Sequence, residues 1–227
     1  MNLEIRDEGT PLAWTRVRVT GEGARDYLQG QLTQDLDRAS DEGTWSLVLE
    51  PDGIALSSVW LRRAEDGFTL DVPAGLASPV LTRLQRFRLR ARCDIVIDGD
   101  GRTPLSTLGE QVDALWPGED EFAAHLPPQS FGASVVESCV SFTKGCYTGQ
   151  ELVARLEARA SNVPWRLVRA RGDDVSVIDA GLRSRGPEGP SGVTLAIARD
   201  DGVHALGIAH RTLLGDTTLA FALETSP

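Results

Sequence analysis

No apolar run in this 227-residue chain approaches the roughly 18 residues that a membrane-spanning helix needs, so a helical membrane anchor is not expected. The first residues, MNLEIRDEG, carry acids early and lack the apolar stretch of a signal peptide, which points to the cytoplasm. Cysteine is scarce and unpatterned: Cys93, Cys139 and Cys146 form no CxxC pair and leave one thiol over in any disulfide scheme. That usage suits a reducing compartment. Three histidines (His125, His204, His210) and those cysteines show no zinc-ligand spacing, so no metal site is expected. Positive charge is also short. A net charge of −10 argues against broad membrane-surface or direct nucleic-acid binding. No internal repeat suggests a solenoid.

What is present is ordinary globular composition, 41% hydrophobic and 25% charged, in a chain long enough to bury a sizeable core. The bases are gathered in two islands. Leu81–Arg92 holds Arg83, Arg86, Arg88, Arg90 and Arg92 with no acid, and Lys144–Arg171 holds six bases against Glu151 and Glu157. Such islands in an acidic body can focus an anionic small ligand, or they can be solvated faces and rims.

Periodicity predicts a helix over Gly21–Leu36, with Ala24, Tyr27, Leu28, Gln31 and Leu32 on one side. Thr44–Leu49 and Ile54–Arg62 flank the turn sequence Pro51-Asp52-Gly53 and predict a hairpin. Phe68–Val72 reads as a strand, Pro73–Phe87 as a helix, Cys93–Ile97 as a strand and Leu126–Gln129 as a loop. After Pro164 the pattern turns β-rich, with strands at Trp165–Arg171, Val193–Ala198, Val203–His210 and Thr217–Ala222. Asp200-Asp201-Gly202 makes a hairpin turn there. The mixture predicts an α+β fold over residues 1–164 and a small β-barrel or sandwich over residues 165–227.

The most informative run is Ser141–Arg155, SFTKGCYTGQELVAR. Thr148 and Glu151 have the spacing of a capping box, with Leu152, Val153, Leu156 and Ala160 at helical intervals behind it. Cys146 would then lie near free backbone N–H groups and two residues from Lys144, and both favour the thiolate. Each residue also has a plainer role open to it. Cys146 can be a small apolar filler, Glu151 a cap, Tyr147 a core ring, and Gln29 and Gln31 solvent-facing. Cys93 and Cys139 sit in strand-like apolar contexts and read as core. Gly30 inside a helix costs roughly 1 kcal/mol against alanine, which suggests a close approach there.

Lys144-Gly145-Cys146-Tyr147-Thr148-Gly149-Gln150-Glu151 resembles the KGCYxGQE motif of the YgfZ-type folate-binding proteins, relatives of the glycine-cleavage T-protein. Tyr27-Leu28-Gln29-Gly30-Gln31-Leu32-Thr33-Gln34-Asp35 is similar to the same family's early FLQGQ-T-x-D segment, in the family's order. The resemblance implies a T-protein-like folate-binding core followed by a small C-terminal β-barrel. It implies tetrahydrofolate or a folate derivative as ligand, with Cys146 and Lys144 at the reactive centre. Gln29, Gln31, Tyr147, Gln150, Glu151 and Arg155 become the ligand contacts, and an arginine island is the expected partner of the glutamate tail. Iron–sulfur client proteins are the implied partners, in cluster assembly or repair.

The chain is shorter than typical relatives, so elements between Leu105 and Ser134, or the barrel itself, are expected to be trimmed. It departs from the T-protein in one respect: no carboxylate stands in Val59–Ala64, and Asp173-Asp174 falls too late to be the catalytic aspartate. Two rival readings stay open. One is a tetrahydrofolate-dependent aminomethyltransferase, and the other a non-catalytic scaffold docking clients on the helix after Glu151.

Overall fold

A computed structural model describes residues 5–6, 13–102, 126–159, 163–184, 187–216 and 218–225. The chain starts with a two-residue strand, β1 (Ile5–Arg6), which joins a distant sheet. The first sheet opens with β2 (Trp14–Thr20), followed by helix α1 (Ala24–Gln29). The hairpin of β3 (Thr44–Leu49) and β4 (Ala55–Ala64) forms as the sequence predicts. Gly53 supplies the left-handed backbone, with φ +89°, and Asp52 Oδ1 accepts from Ile54 N at 3.1 Å. β5 (Gly67–Pro73), helix α2 (Ala77–Arg86) and β6 (Asp94–Asp100) complete the sheet. Its order is β3-β4-β5-β2-β6, and every pairing is antiparallel.

Helix α1 is much shorter than predicted. It stops at Gly30, and the next residues are pulled onto the sheet: Thr33 N donates to Leu47 O at 3.1 Å, and Leu32 bridges Val48. Gln29 holds the turn that follows, donating to Asp35 Oδ1 and accepting from Leu36 N, both at 3.0 Å. Side-chain bonds thus replace the next helical turn.

Two helices follow in the second half that the sequence reading lacked or misassigned. Residues read as strand-like around Cys139 form α3 (Ala133–Cys139) after a 3-10 turn at Pro128–Phe131. α4 (Gln150–Ala158) carries the expected motif helix. After β7 (Trp165–Gly172) comes α5 (Val175–Ser184), which was not anticipated. Its Gly181 has a packing reason, because a Cβ there would lie 2.4 Å from the Phe221 ring. β8 (Gly192–Arg199), β9 (Gly202–His210) and β10 (Ala222–Thr225) follow.

The second sheet has the order β1-β8-β9-β7-β10 and is open. The expected C-terminal barrel is therefore corrected: among the described residues neither sheet closes on itself. α5 covers one face of the second sheet instead, burying Ile178 and Leu182 on Val168, Val193 and Ala205. The fold is mixed α and β in layers. α1 and α2 cover one face of the first sheet, burying Leu28, Val80 and Leu84 on Val59, Leu61 and Leu70. The other face, with Trp14, Trp45, Leu47 and Leu49, shares a core with Phe131, Val135, Cys139, Tyr147, Val153, and Leu167 and Ile208 of the second sheet. The stretch 103–125, most of the part expected to be trimmed, lies outside the described residues.

Candidate functional site

The two motif segments, more than a hundred residues apart, are sewn to each other. Ser141 N donates to Thr33 O and Thr148 N to Gly30 O, both at 3.0 Å. Gln34 Nε2 donates to Ser138 O at 2.8 Å and Thr33 Oγ1 to Cys139 O at 2.6 Å. Lys144 is the centre of the seam. Its Nζ donates to Leu32 O at 2.8 Å and Gln34 O at 3.0 Å, and it lies 5.3 Å from the Tyr147 ring centroid. Burial pushes the Lys144 amine down to about 8, partly offset by the nearby Asp35 carboxylate. Lys144 thus holds backbone.

Thr148 and Glu151 do not form the expected capping box. Gly149 occupies the cap position in the left-handed region, φ +86°, and no side chain caps the helix. The reason is a close approach, since a Cβ on Gly149 would lie 2.7 Å from Glu50 O of the β3–β4 turn. Thr148 Oγ1 is turned instead toward Gly30 O and Gln31 Oε1, at 3.4 Å each. The helix begins at Gln150, four residues after Cys146.

The expected site residues divide into an inner and an outer set. Tyr147 is buried in the inter-sheet core, and its hydroxyl is pushed up to about 12 by burial. Gln31 Oε1 accepts from Arg83 Nη1 at 2.9 Å, and Gln29 is spent on the Asp35 turn. Cys146, Glu151 and Arg155 are exposed, and Gln150 is half-buried. Cys93 and Cys139 are buried free thiols, both pushed up chiefly by that burial.

The first arginine island is only partly free. Arg83 is buried, donating to Leu49 O at 2.9 Å. Arg88 reaches Cys93 O and Asp94, and Arg92 pairs with Glu22. Arg90 and Arg92 rim an open hollow of about 650 Å³ that Tyr27, Gly30 and Gln31 also line. In the second island Arg171 pairs with Asp201 at 2.8 Å, while Arg155 and Arg159 sit on exposed positions of α4.

Sequence reasoning missed a second cluster, on the inter-sheet face of the first sheet. Asp71, fully buried, accepts from Arg62 Nε at 3.0 Å and Arg62 Nη2 at 2.7 Å, both on Oδ2. Arg16 Nε stands 3.6 Å from Oδ1. Beside them Trp45 packs against Trp14 and Trp60, with centroid separations of 6.0 and 4.9 Å. The missed signal was an aspartate in the apolar strand Phe68–Val72, whose partners only the strand order reveals. No cluster of three or more His, Cys, Asp or Glu side chains placed to hold a metal occurs among the described residues. Nor is any described helix long and apolar enough to cross a membrane.

No family model matches the chain. Among curated proteins it is similar to the tRNA-modifying protein YgfZ of Edwardsiella ictaluri, 27% identical over 91% of this chain and 85% of that protein. The YgfZ protein of Escherichia coli K12 is 25% identical over 66% of this chain and 67% of its own length. Among solved structures, the glycine cleavage system aminomethyltransferase T of Bartonella henselae matches with a TM-score of 0.58. That match covers 94% of this chain and 83% of the other at 14% identity, a likeness of fold. The sewn motif segments and the layered architecture therefore have one explanation: the chain is a homologue of the YgfZ proteins, built on a T-protein-like fold.

Proposed function

We propose that this chain is a folate-binding protein of the YgfZ type that supports iron–sulfur cluster assembly or repair, with Cys146 as its reactive thiol. The observation that carries the reading is the shape of the motif loop. Lys144 and Tyr147 are pinned inside, and Gly145 and Cys146 are left at the surface between them. A thiol on a loop anchored at both sides is available to a client protein while its backbone stays fixed.

A folate suits the residues present. A pterin ring needs a flat aromatic wall and a fixed polar group at its edge. Trp14, Trp45 and Trp60 offer the wall, and Asp71 beside them offers the group. Bound tetrahydrofolate would supply a one-carbon carrier. The chain's own residues would hold it, keep water from its ring and present Cys146 nearby in sequence to the motif helix. Gln150, Glu151 and Arg155 have side chains at or near the surface and remain candidates for contacts with the rest of the ligand. Gln29 and Gln31 serve by shaping the turn that Lys144 grips. The similar proteins carry the name tRNA-modifying, and we place tRNA modification downstream of this role, with the acidic charge against direct RNA binding.

Calorimetric titration with tetrahydrofolate tests the reading: saturable binding is expected, and absence of binding removes it. Cys146→Ser should bind tetrahydrofolate as before yet fail to restore iron–sulfur enzyme activity in cells lacking the protein. The T-protein-like fold favours one second reading, aminomethyl transfer, which tetrahydrofolate-dependent ammonia release from an aminomethyl donor would reveal.

A further inference from the structure

Buried polar atoms without a partner are concentrated on one face of the first sheet. Among the described residues, Trp14 Nε1, Arg16 Nε, Ser58 Oγ, Thr69 Oγ1 and Asp71 Oδ1 are buried and have no hydrogen-bond partner. The register places all five residues on the inter-sheet face. Trp60 pairs with Asp71, Asp71 with Arg16, and Arg62 with Thr69, while Ser58 and Trp14 lie two residues along from Trp60 and Arg16. No strand residue on the opposite face of the same sheet has such an atom. Each orphaned atom is costly, and a closed core seldom collects them in one place.

What lies over these atoms is aromatic. Trp14 is on β2 and Trp45 on β3, with β4 and β5 between them in the sheet. Their rings nevertheless come within 6.0 Å, centroid to centroid, and Trp60 continues the row at 4.9 Å. The indoles meet across the strands that carry Ser58 and Asp71. Arg62 meanwhile holds Asp71 by Oδ2 alone, which orients the carboxylate and leaves Oδ1 as an acceptor.

We infer that this is a ligand slot closed on itself, in which Asp71 recognises the N–H edge of a flat heterocycle lying against the tryptophans. Ser58, Thr69 and the Trp14 and Arg16 N–H groups meet that ring's remaining polar atoms, and Arg62 is a positioning residue. The inference rests on the folate reading and names the residues that select the pterin end, none of which belongs to the two motif segments. Trp14 swings aside to admit the ring, so binding has an optical signature.

The test uses pterin (2-amino-4-oxopteridine), p-aminobenzoylglutamate and tetrahydrofolate, followed by tryptophan emission and calorimetry on the full chain. Pterin alone should bind and quench emission, and p-aminobenzoylglutamate should do neither. Ser58→Ala and Thr69→Val remove orphaned hydroxyls with little change of shape. Both should keep or raise the Tm of the free protein while weakening pterin about tenfold, the size of one lost buried hydrogen bond. Asp71→Asn should weaken it further. If that variant fails to fold, the two hydroxyl variants decide alone. Tetrahydrofolate binding unchanged in every folded variant overturns the slot and leaves the folate reading standing. A lowered Tm with unchanged affinity makes the hydroxyls structural and also overturns it. No binding of either pterin or tetrahydrofolate to the wild type overturns both.

Discussion

The two faces of the first sheet are built from the same strands and solve opposite problems. The face under α1 and α2 presents Val17, Val59, Leu61, Leu70 and Val72 to Leu28, Val80 and Leu84, every one fully buried. The inter-sheet face alternates tryptophans with Ser58, Arg62, Thr69, Asp71 and Arg16. Burial of aliphatic area is non-directional and forgiving. A buried carboxylate between two arginines must instead keep its geometry to offset its lost hydration. One face therefore carries stability, and the other carries an arrangement that stability alone does not require.

The largest expected effect comes from breaking the buried pair. Asp71→Ala should cost about 3–5 kcal/mol in urea unfolding, because Arg62 is left buried and unpaired. Replacing both partners, Asp71→Leu with Arg62→Met, should recover most of it. A single-variant cost below about 1 kcal/mol would mean the faces do not differ in this way. On the apolar face, Leu70→Ala should cost about 2–5 kcal/mol through its cavity, with tetrahydrofolate affinity unchanged in the folded fraction. Weaker binding there would merge the two roles.

Lys144 gives a pH-dependent comparison. Burial lowers its amine to about 8 from 10.5, so between those values the unfolded chain binds more protons than the folded one. Its contribution therefore makes the protein more stable as pH rises from about 8 toward 10.5, and burial of the charged form opposes folding below that window. Denaturant unfolding at pH 7.5 and pH 10 should show a smaller gain with pH in Lys144→Met than in the wild type. An equal gain in both would show that Lys144 is not the group responsible.

The smallest effects concern the outer residues. Iodoacetamide should label exposed Cys146 before buried Cys93 and Cys139, as read by mass spectrometry, and Cys146→Ser should stay within about 0.5 kcal/mol of wild type. Equal labelling would make Cys146 a packing residue and sink the reactive-thiol role. Glu151→Gln should change stability as little, since Glu151 caps nothing. If its tetrahydrofolate affinity also holds, Glu151 is no ligand contact.

Where the signal is local, the sequence sufficed. The β3–β4 hairpin follows from Pro51-Asp52-Gly53, and α4 from its apolar spacing. The same local logic erred where distant contacts win. α1 was overextended because Gln29 and Thr33 bond to groups outside any helix. α3 was read as a strand from its two valines. In the capping box, spacing was right and Gly149, forced by the Glu50 carbonyl, took the cap instead.

By itself the sequence determined the mixed strand-and-helix character, the two motif segments, and through them the kinship with YgfZ proteins. Only the tertiary structure decided what the motif residues do. Lys144 meets its carbonyls across 112 and 110 residues of chain, and Thr33 meets Cys139 across 106. It also decided that the second sheet stays open and that Asp71 lies between Arg16 and Arg62. The reason is physical: side-chain period along a strand is local, but which strand lies opposite is set by the whole sheet.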